Sequence, residues 1–137
     1  MKYGNLILEK REYVDIKRVL NLAGNYKDQV QKYSVEKLTK ELETALILDE
    51  KEVADDIIRL NSEVTIATND GWQHTFQVVL PTESNAAQKK VSVLLPMGAA
   101  VIGYATGDSI QWKFPGGEKT IDILKVKQNN TINLNIA

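Results

Sequence analysis

The chain contains no cysteine, so disulfides, thiolate metal sites and cysteine nucleophiles are all excluded. It has one histidine, His74, which rules out a histidine-rich metal centre and leaves a Ser-His-Asp triad a single residue to use. No run of apolar residues approaches membrane-spanning length, so no membrane association is expected. The stretch from Met1 to Glu9 lacks the apolar centre of a secretory signal, so a cytoplasmic protein is expected. An excess of charge is missing as well. With 17 Lys+Arg against 18 Asp+Glu, the net charge of −1 offers no electrostatic footprint for nucleic acid or an anionic membrane. Direct sequence-specific nucleic-acid binding is therefore not expected. The carboxylates have no EF-hand spacing, and neither a metal nor another cofactor is implied.

What is present suits one ordinary core, or a small domain with an appendage: 137 residues, of which 43% are hydrophobic and 26% charged. The charges are unevenly spread. Residues 1–60 carry 11 Lys+Arg and 12 Asp+Glu, whereas residues 61–137 carry 6 and 6. Interleaved charge of both signs suits solvated helices, and its dilution suits a sheet with a core. This charge distribution places a boundary near Leu60, giving an N-terminal helical hairpin over 1–60 and a sheet domain over 61–137.

Asn5 to Leu8 reads as a short extended lead-in. From about Arg11 to Leu22, Tyr13, Ile16 and Leu20 recur at helical spacing, with no Ser, Thr, Asp or Asn ahead of them as a cap. Asn21 to Tyr33 reads as the connection. Ser34 is an expected N-cap, followed by the stripe Val35, Leu38, Leu42, Ala45 and Leu46. Two helices this short are marginal alone, since isolated helices below ~12–15 residues are unstable in water. The hairpin must lean on the second domain or on a partner.

From Glu63 the period becomes two. Val64 and Ile66 alternate, Asp70-Gly71 is a hairpin turn, and Trp72, His74, Phe76, Val78 and Leu80 share a strand face. The stretch from Val91 to Gly117 organises the rest. It reads as a strand with Val91, Val93 and Leu95, then Pro96 at a position where its missing N–H costs nothing. A short helix with little bulk, Gly98-Ala99-Ala100, runs to Gly103 as a left-handed cap. Gly107-Asp108 turns the chain into a strand with Ile110, Trp112 and Phe114, and Pro115-Gly116-Gly117 turns it again. Val64, Ile66, Phe76, Val78, Val93, Leu95, Ile110, Trp112, Phe114 and Ile121 are the expected sheet face beneath that helix. The alternation slips by one residue at Ile123-Leu124, which predicts a β-bulge. Ile132, Leu134 and Ile136 alternate again in the tail.

Pro96 to Gly103 with its alanines, Gly107-Asp108, Pro115-Gly116-Gly117 and Asn61-Ser62 in this order resemble the C-terminal domain of the bacterial Gre transcription factors. Within that family the pattern is most similar to the Rnk proteins, regulators of nucleoside diphosphate kinase. The resemblance covers about residues 56 to 127. It implies an α+β fold: a short N-terminal antiparallel helical hairpin, then an FKBP-like antiparallel sheet with one short helix. It also implies RNA polymerase as the partner, docked at the rim of the secondary channel through residues matching Leu95, Pro96 and Met97. Gre proteins usually carry serine before this proline, so Leu95 makes the contact more apolar.

In Gre factors, as the resemblance implies, two acids at the tip of a long coiled coil help hold a second Mg²⁺ that cuts the backtracked transcript. Here the connection offers one carboxylate, Asp28, beside Lys27 and Lys32. The paired acids are missing, and helices of about 12 residues rise only ~18 Å. The expectation is a non-enzymatic modulator of elongation that competes with Gre factors. A true cleavage factor using Asp28 is the alternative. Peptidyl-prolyl isomerisation rests on fold analogy alone, and no aromatic prolyl pocket is legible. Gly116-Gly117-Glu118-Lys119-Thr120 lacks the spacing of a phosphate loop. His74, Trp72 and Trp112 are expected to be packed core residues.

Overall fold

Residues 1–22, 29–114 and 116–129 are described by the computed structural model. Strand β1 (Ile7–Glu9) runs straight into helix α1 (Lys10–Leu22), which is followed by helix α2 (Gln29–Leu42) and strand β2 (Leu46–Leu48). Parallel strands need a long crossover, and here the helical pair supplies it. β1 and β2 pair in parallel, with Ile7 opposite Leu46 and Leu8 opposite Ile47. The missing cap of α1 is provided by Glu9, whose carboxylate accepts from the N–H groups of Arg11 and Glu12, both at 3.1 Å.

Two expectations about α2 are corrected. Ser34 is not its cap: it lies buried inside a helix that begins at Gln29. Capping preference is a local signal, and tertiary packing overrides it, because Tyr33 sets its ring edge-on to buried Trp112 at 5.4 Å. Leu46 is not on the helical stripe either. The helix stops at Leu42, and the Leu46 N–H donates to the carbonyl of Leu6 at 2.8 Å as β2 joins β1.

The second part is a five-stranded sheet: β3 (Glu63–Thr68), β4 (Gln73–Val79), β5 (Lys90–Ser92), β6 (Ser109–Phe114) and β7 (Gly117–Lys127) in the order β5-β4-β3-β7-β6. Helix α3 (Pro96–Val101) connects β5 to β6. The architecture is α+β, as expected, although the sheet is not purely antiparallel because β4 and β5 run parallel. The bulge is where the phase slip predicts it: Thr65 faces Lys125, Ile66 faces Ile123, and Leu124 is left unpaired and exposed.

Val64, Ile66, Phe76, Val78, Val93, Ile110, Trp112 and Ile121 are buried together, and Ile16, Leu20, Val35, Leu38 and Leu42 of the helices join the same core. Three expected core residues depart from this. Leu95 is 44% exposed, because β5 ends at Ser92 and the alternation ends with it. Phe114 is half-buried at the last position of β6. Trp72 is 47% exposed, one residue ahead of β4, and stacks on His74 at 4.8 Å, which in turn stacks on Phe76 at 5.9 Å.

Phe76→Ala is expected to cost about 3–5 kcal/mol of stability in urea denaturation, and Phe114→Ala less, since only the former removes a fully buried ring. The β3–β4 turn titrates unusually. The Thr68 hydroxyl, helped by Lys119 at 3.1 Å, holds the Asp70 carboxyl down at about 2. A depressed carboxylate contributes stability above its ordinary range and loses it as pH falls through the folded value. Carboxyl-carbon NMR of Asp70 should therefore show a midpoint near 2, and Thr68→Val should raise it.

Candidate functional site

The candidate site is the corner where β5 gives way to α3. After Ser92 the chain folds back on one residue: the Leu94 N–H bonds to Ser92 Oγ and the Leu95 N–H to the Ser92 carbonyl, both at 3.0 Å. Leu95 takes the N-cap position in extended conformation with no side-chain hydrogen bond, and Pro96 opens the helix. The small residues explain how close α3 lies. A Cβ on Gly98 would sit 2.2 Å from the Ser92 carbonyl oxygen, so any side chain there would push the helix off the strand. The helix ends through Gly103 at φ +82°, a left-handed conformation. The Gly103 N–H donates to the Ile58 carbonyl at 3.0 Å, and its carbonyl accepts from the Ile7 N–H at 3.2 Å. The corner is thus tied at both ends. On it, Leu95 is exposed, while Pro96 and Met97 are half-buried, with Met97 packed against the core.

The other signature residues serve the same frame. Asn61 has φ +74°, and its N–H donates to the Val78 carbonyl at 2.6 Å. Buried Ser62 accepts from the Arg59 N–H and donates to Gln128 Oε1, each at 2.8 Å. The Asp108 carboxylate closes its own turn by accepting from the Ala105 N–H at 2.9 Å, and it also accepts from the Lys2 N–H.

A family model for the C-terminal domain of transcription elongation factors GreA and GreB matches residues 53–128. The chain belongs to the GreA/GreB C-terminal-domain family. It is 33% identical over 92 residues to the regulator of nucleoside diphosphate kinase of Escherichia coli K12, spanning 66% of this chain and 68% of that protein. It is 32% identical over 96 residues to the GreA of Syntrophus aciditrophicus, spanning 69% of this chain and 60% of that one. Among solved structures, a GreA/GreB elongation factor from Nitrosomonas europaea superposes with a TM-score of 0.71 at 23% identity, over 91% of this chain and 99% of that one. That likeness carries the fold. The chain is a Gre-like member of a transcription elongation factor family.

Lys27 and Asp28, the expected hairpin tip, lie outside the described residues, so only the root of the hairpin is visible. There, a cluster invisible to sequence reasoning stands out. Arg59 is 7% exposed and sits between Glu12 of α1 and Glu50. Its guanidinium donates to Glu12 Oε2 at 2.6 and 3.1 Å and to the two Glu50 oxygens at 3.0 and 2.8 Å. The Leu60 N–H also donates to Glu12 Oε1 at 3.2 Å. Burial by itself would lower the Arg59 pKa, but the hydrogen bonds from both carboxylates outweigh it and hold the group firmly cationic. Arg59 and Glu12 are 47 positions apart, which is why no local pattern announces them. A second link joins α2 to the segment after α3: the Tyr104 hydroxyl donates to Glu41 Oε2 at 2.8 Å, and burial together with that carboxylate pushes the phenol pKa up.

Gly117 to Thr120 form the start of β7, so the Gly-Glu-Lys-Thr run is ladder, not a phosphate loop. No three His, Asp or Glu side chains converge among the described residues. Arg59→Ala is expected to cost about 1–3 kcal/mol in thermal or urea unfolding, because it leaves the mostly buried Glu12 carboxylate without its cation while the more exposed Glu50 can turn to water.

Proposed function

We propose that this protein is a modulator of transcription elongation that binds bacterial RNA polymerase at the rim of the secondary channel, without stimulating transcript cleavage itself. The observation that carries this reading is the apolar corner: Leu95 is exposed at the start of a helix that Gly98 allows to lie close against Ser92. Covering an exposed apolar side chain with a partner is favourable in proportion to the area removed from water. Membership of the Gre family points to polymerase as the surface it meets. In that role the protein acts in the cytoplasm.

The absence of cleavage follows from reach and charge. An α1 of 13 residues rises only ~20 Å at 1.5 Å per residue. The sequence between the helices holds one carboxylate, Asp28, with Lys27 beside it. A weakly held second Mg²⁺ needs several oxygen ligands, and one carboxylate offset by a neighbouring cation recruits it poorly. The docked protein excludes a Gre factor from the shared rim and so inhibits cleavage that such a factor stimulates.

Backtracked elongation complexes test both halves. The protein alone is expected to leave cleavage at its intrinsic rate, and titrating it against an authentic Gre factor is expected to suppress the stimulated rate. Leu95→Glu, placing a charge in an apolar contact, should abolish that suppression while the circular dichroism spectrum stays unchanged, since Leu95 is exposed in the free protein. Robust cleavage by this protein alone, lost on Asp28→Ala, would establish the opposite reading of a true cleavage factor.

A further inference from the structure

Helix α1 has a second face that the core does not use. Ile16 and Leu20 point inward, whereas Val14 is 51% exposed and Leu22 78% exposed. Tyr13, Lys17 and Asn21 form one row four residues apart, and Val14, Arg18 and Leu22 form the next. Between the rows lies a shallow, mostly apolar depression of about 430 Å³. It runs ~14 Å along the helix from residue 13 to residue 22.

Cations outnumber carboxylates around it. α1 carries Lys10, Arg11, Lys17 and Arg18 against Glu12 and Asp15; Glu12 is turned inward to Arg59, and Lys10 is paired with Asp49 at 3.0 Å. Asp15 reaches Arg18 only at 3.6 Å, and the carboxylate nearest Arg11, Glu9 at 3.7 Å, is already engaged at the helix start. Lys17 has no ion pair among the described residues. In a protein of net charge −1, this helix is a local positive strip with an aliphatic centre.

We propose that this face of α1 docks an acidic amphipathic helix of a protein partner. Aliphatic side chains of the partner seat between Val14 and Leu22, and its carboxylates meet Arg11, Lys17 and Arg18. The length suits two to three turns of such a helix, the mode in which an apolar stripe lies in a groove with charges at its flanks. A nucleic acid fits less well, because Val14 and Leu22 at the centre of the face are aliphatic and offer nothing to a phosphate or a base. The surface shares no residue with the Leu95 corner and does not depend on polymerase binding there.

The full chain is titrated into a fluorescein-labelled synthetic helix of ~15 residues, with leucines on one face and glutamates beside them. A scrambled peptide of the same composition and a single-stranded RNA oligonucleotide serve as the other arms. Saturable binding is expected for the amphipathic acidic peptide, with amide NMR shifts confined to α1. Leu22→Glu and Arg18→Glu should each weaken it by roughly tenfold or more while leaving the melting temperature and the Leu95-dependent suppression of cleavage unchanged. Absence of binding, equal binding of the scrambled peptide, insensitivity to both variants, or tighter binding of the RNA at α1 would each overturn the proposal.

Discussion

Gly98 leaves room for the carbonyl of Ser92, and that close approach decides where helix α3 lies. With any side chain at this position the helix would have to lift, and the buried run Ala99, Ala100, Val101 and Ile102 would leave the apolar cluster it now completes. Helix α2, which packs on α3, would lose its floor as well. Leu95 is exposed for the same reason: the chain must reverse immediately after Ser92, so the residue that strand alternation would bury is carried outward. A packing constraint inside the domain therefore produces the apolar point on its surface.

The hairpin root depends on a different force. Burying a guanidinium is unfavourable unless it is fully paired, and replacing such a group by apolar side chains is often neutral or stabilising. What Arg59 adds to the apolar core is direction. A bidentate fork accepts only certain approaches of Glu12 and Glu50, whereas Ile16, Leu20, Val35 and Leu38 would tolerate some sliding. Since Glu12 also receives the Leu60 N–H, the first turn of α1 is bound to the entry of the sheet at two points.

These constraints separate the molecule's surfaces by chemistry. The α3 corner presents an exposed leucine; the outer face of α1 presents aliphatic side chains among cations. His74 is half-buried in a column of rings, and among the described residues Glu9 and Asp108 are buried with backbone N–H groups as partners, while Glu12 and Glu50 are engaged with Arg59. Recognition of other macromolecules is what such surfaces do well.

Much of this was legible in residue order alone. The change of period near Leu60, the Pro96–Gly103 helix, the Asp70-Gly71 turn and the bulge at Leu124 are local patterns, and local patterns reflect backbone sterics and side-chain alternation that hold wherever the segment sits. The docking candidates Leu95, Pro96 and Met97 came from resemblance, and their exposure became known only with the fold. Ser34, Leu46, Trp72 and Phe114 were misjudged because burial belongs to the neighbours that tertiary structure brings, and a strand's alternation cannot say where its cover ends. The Arg59 cluster, the parallel pairing of β1 with β2 and the pressure of α3 on Ser92 were decided by tertiary structure alone. Each joins residues distant in sequence, and the energy of such a contact depends on a distance that no single segment encodes.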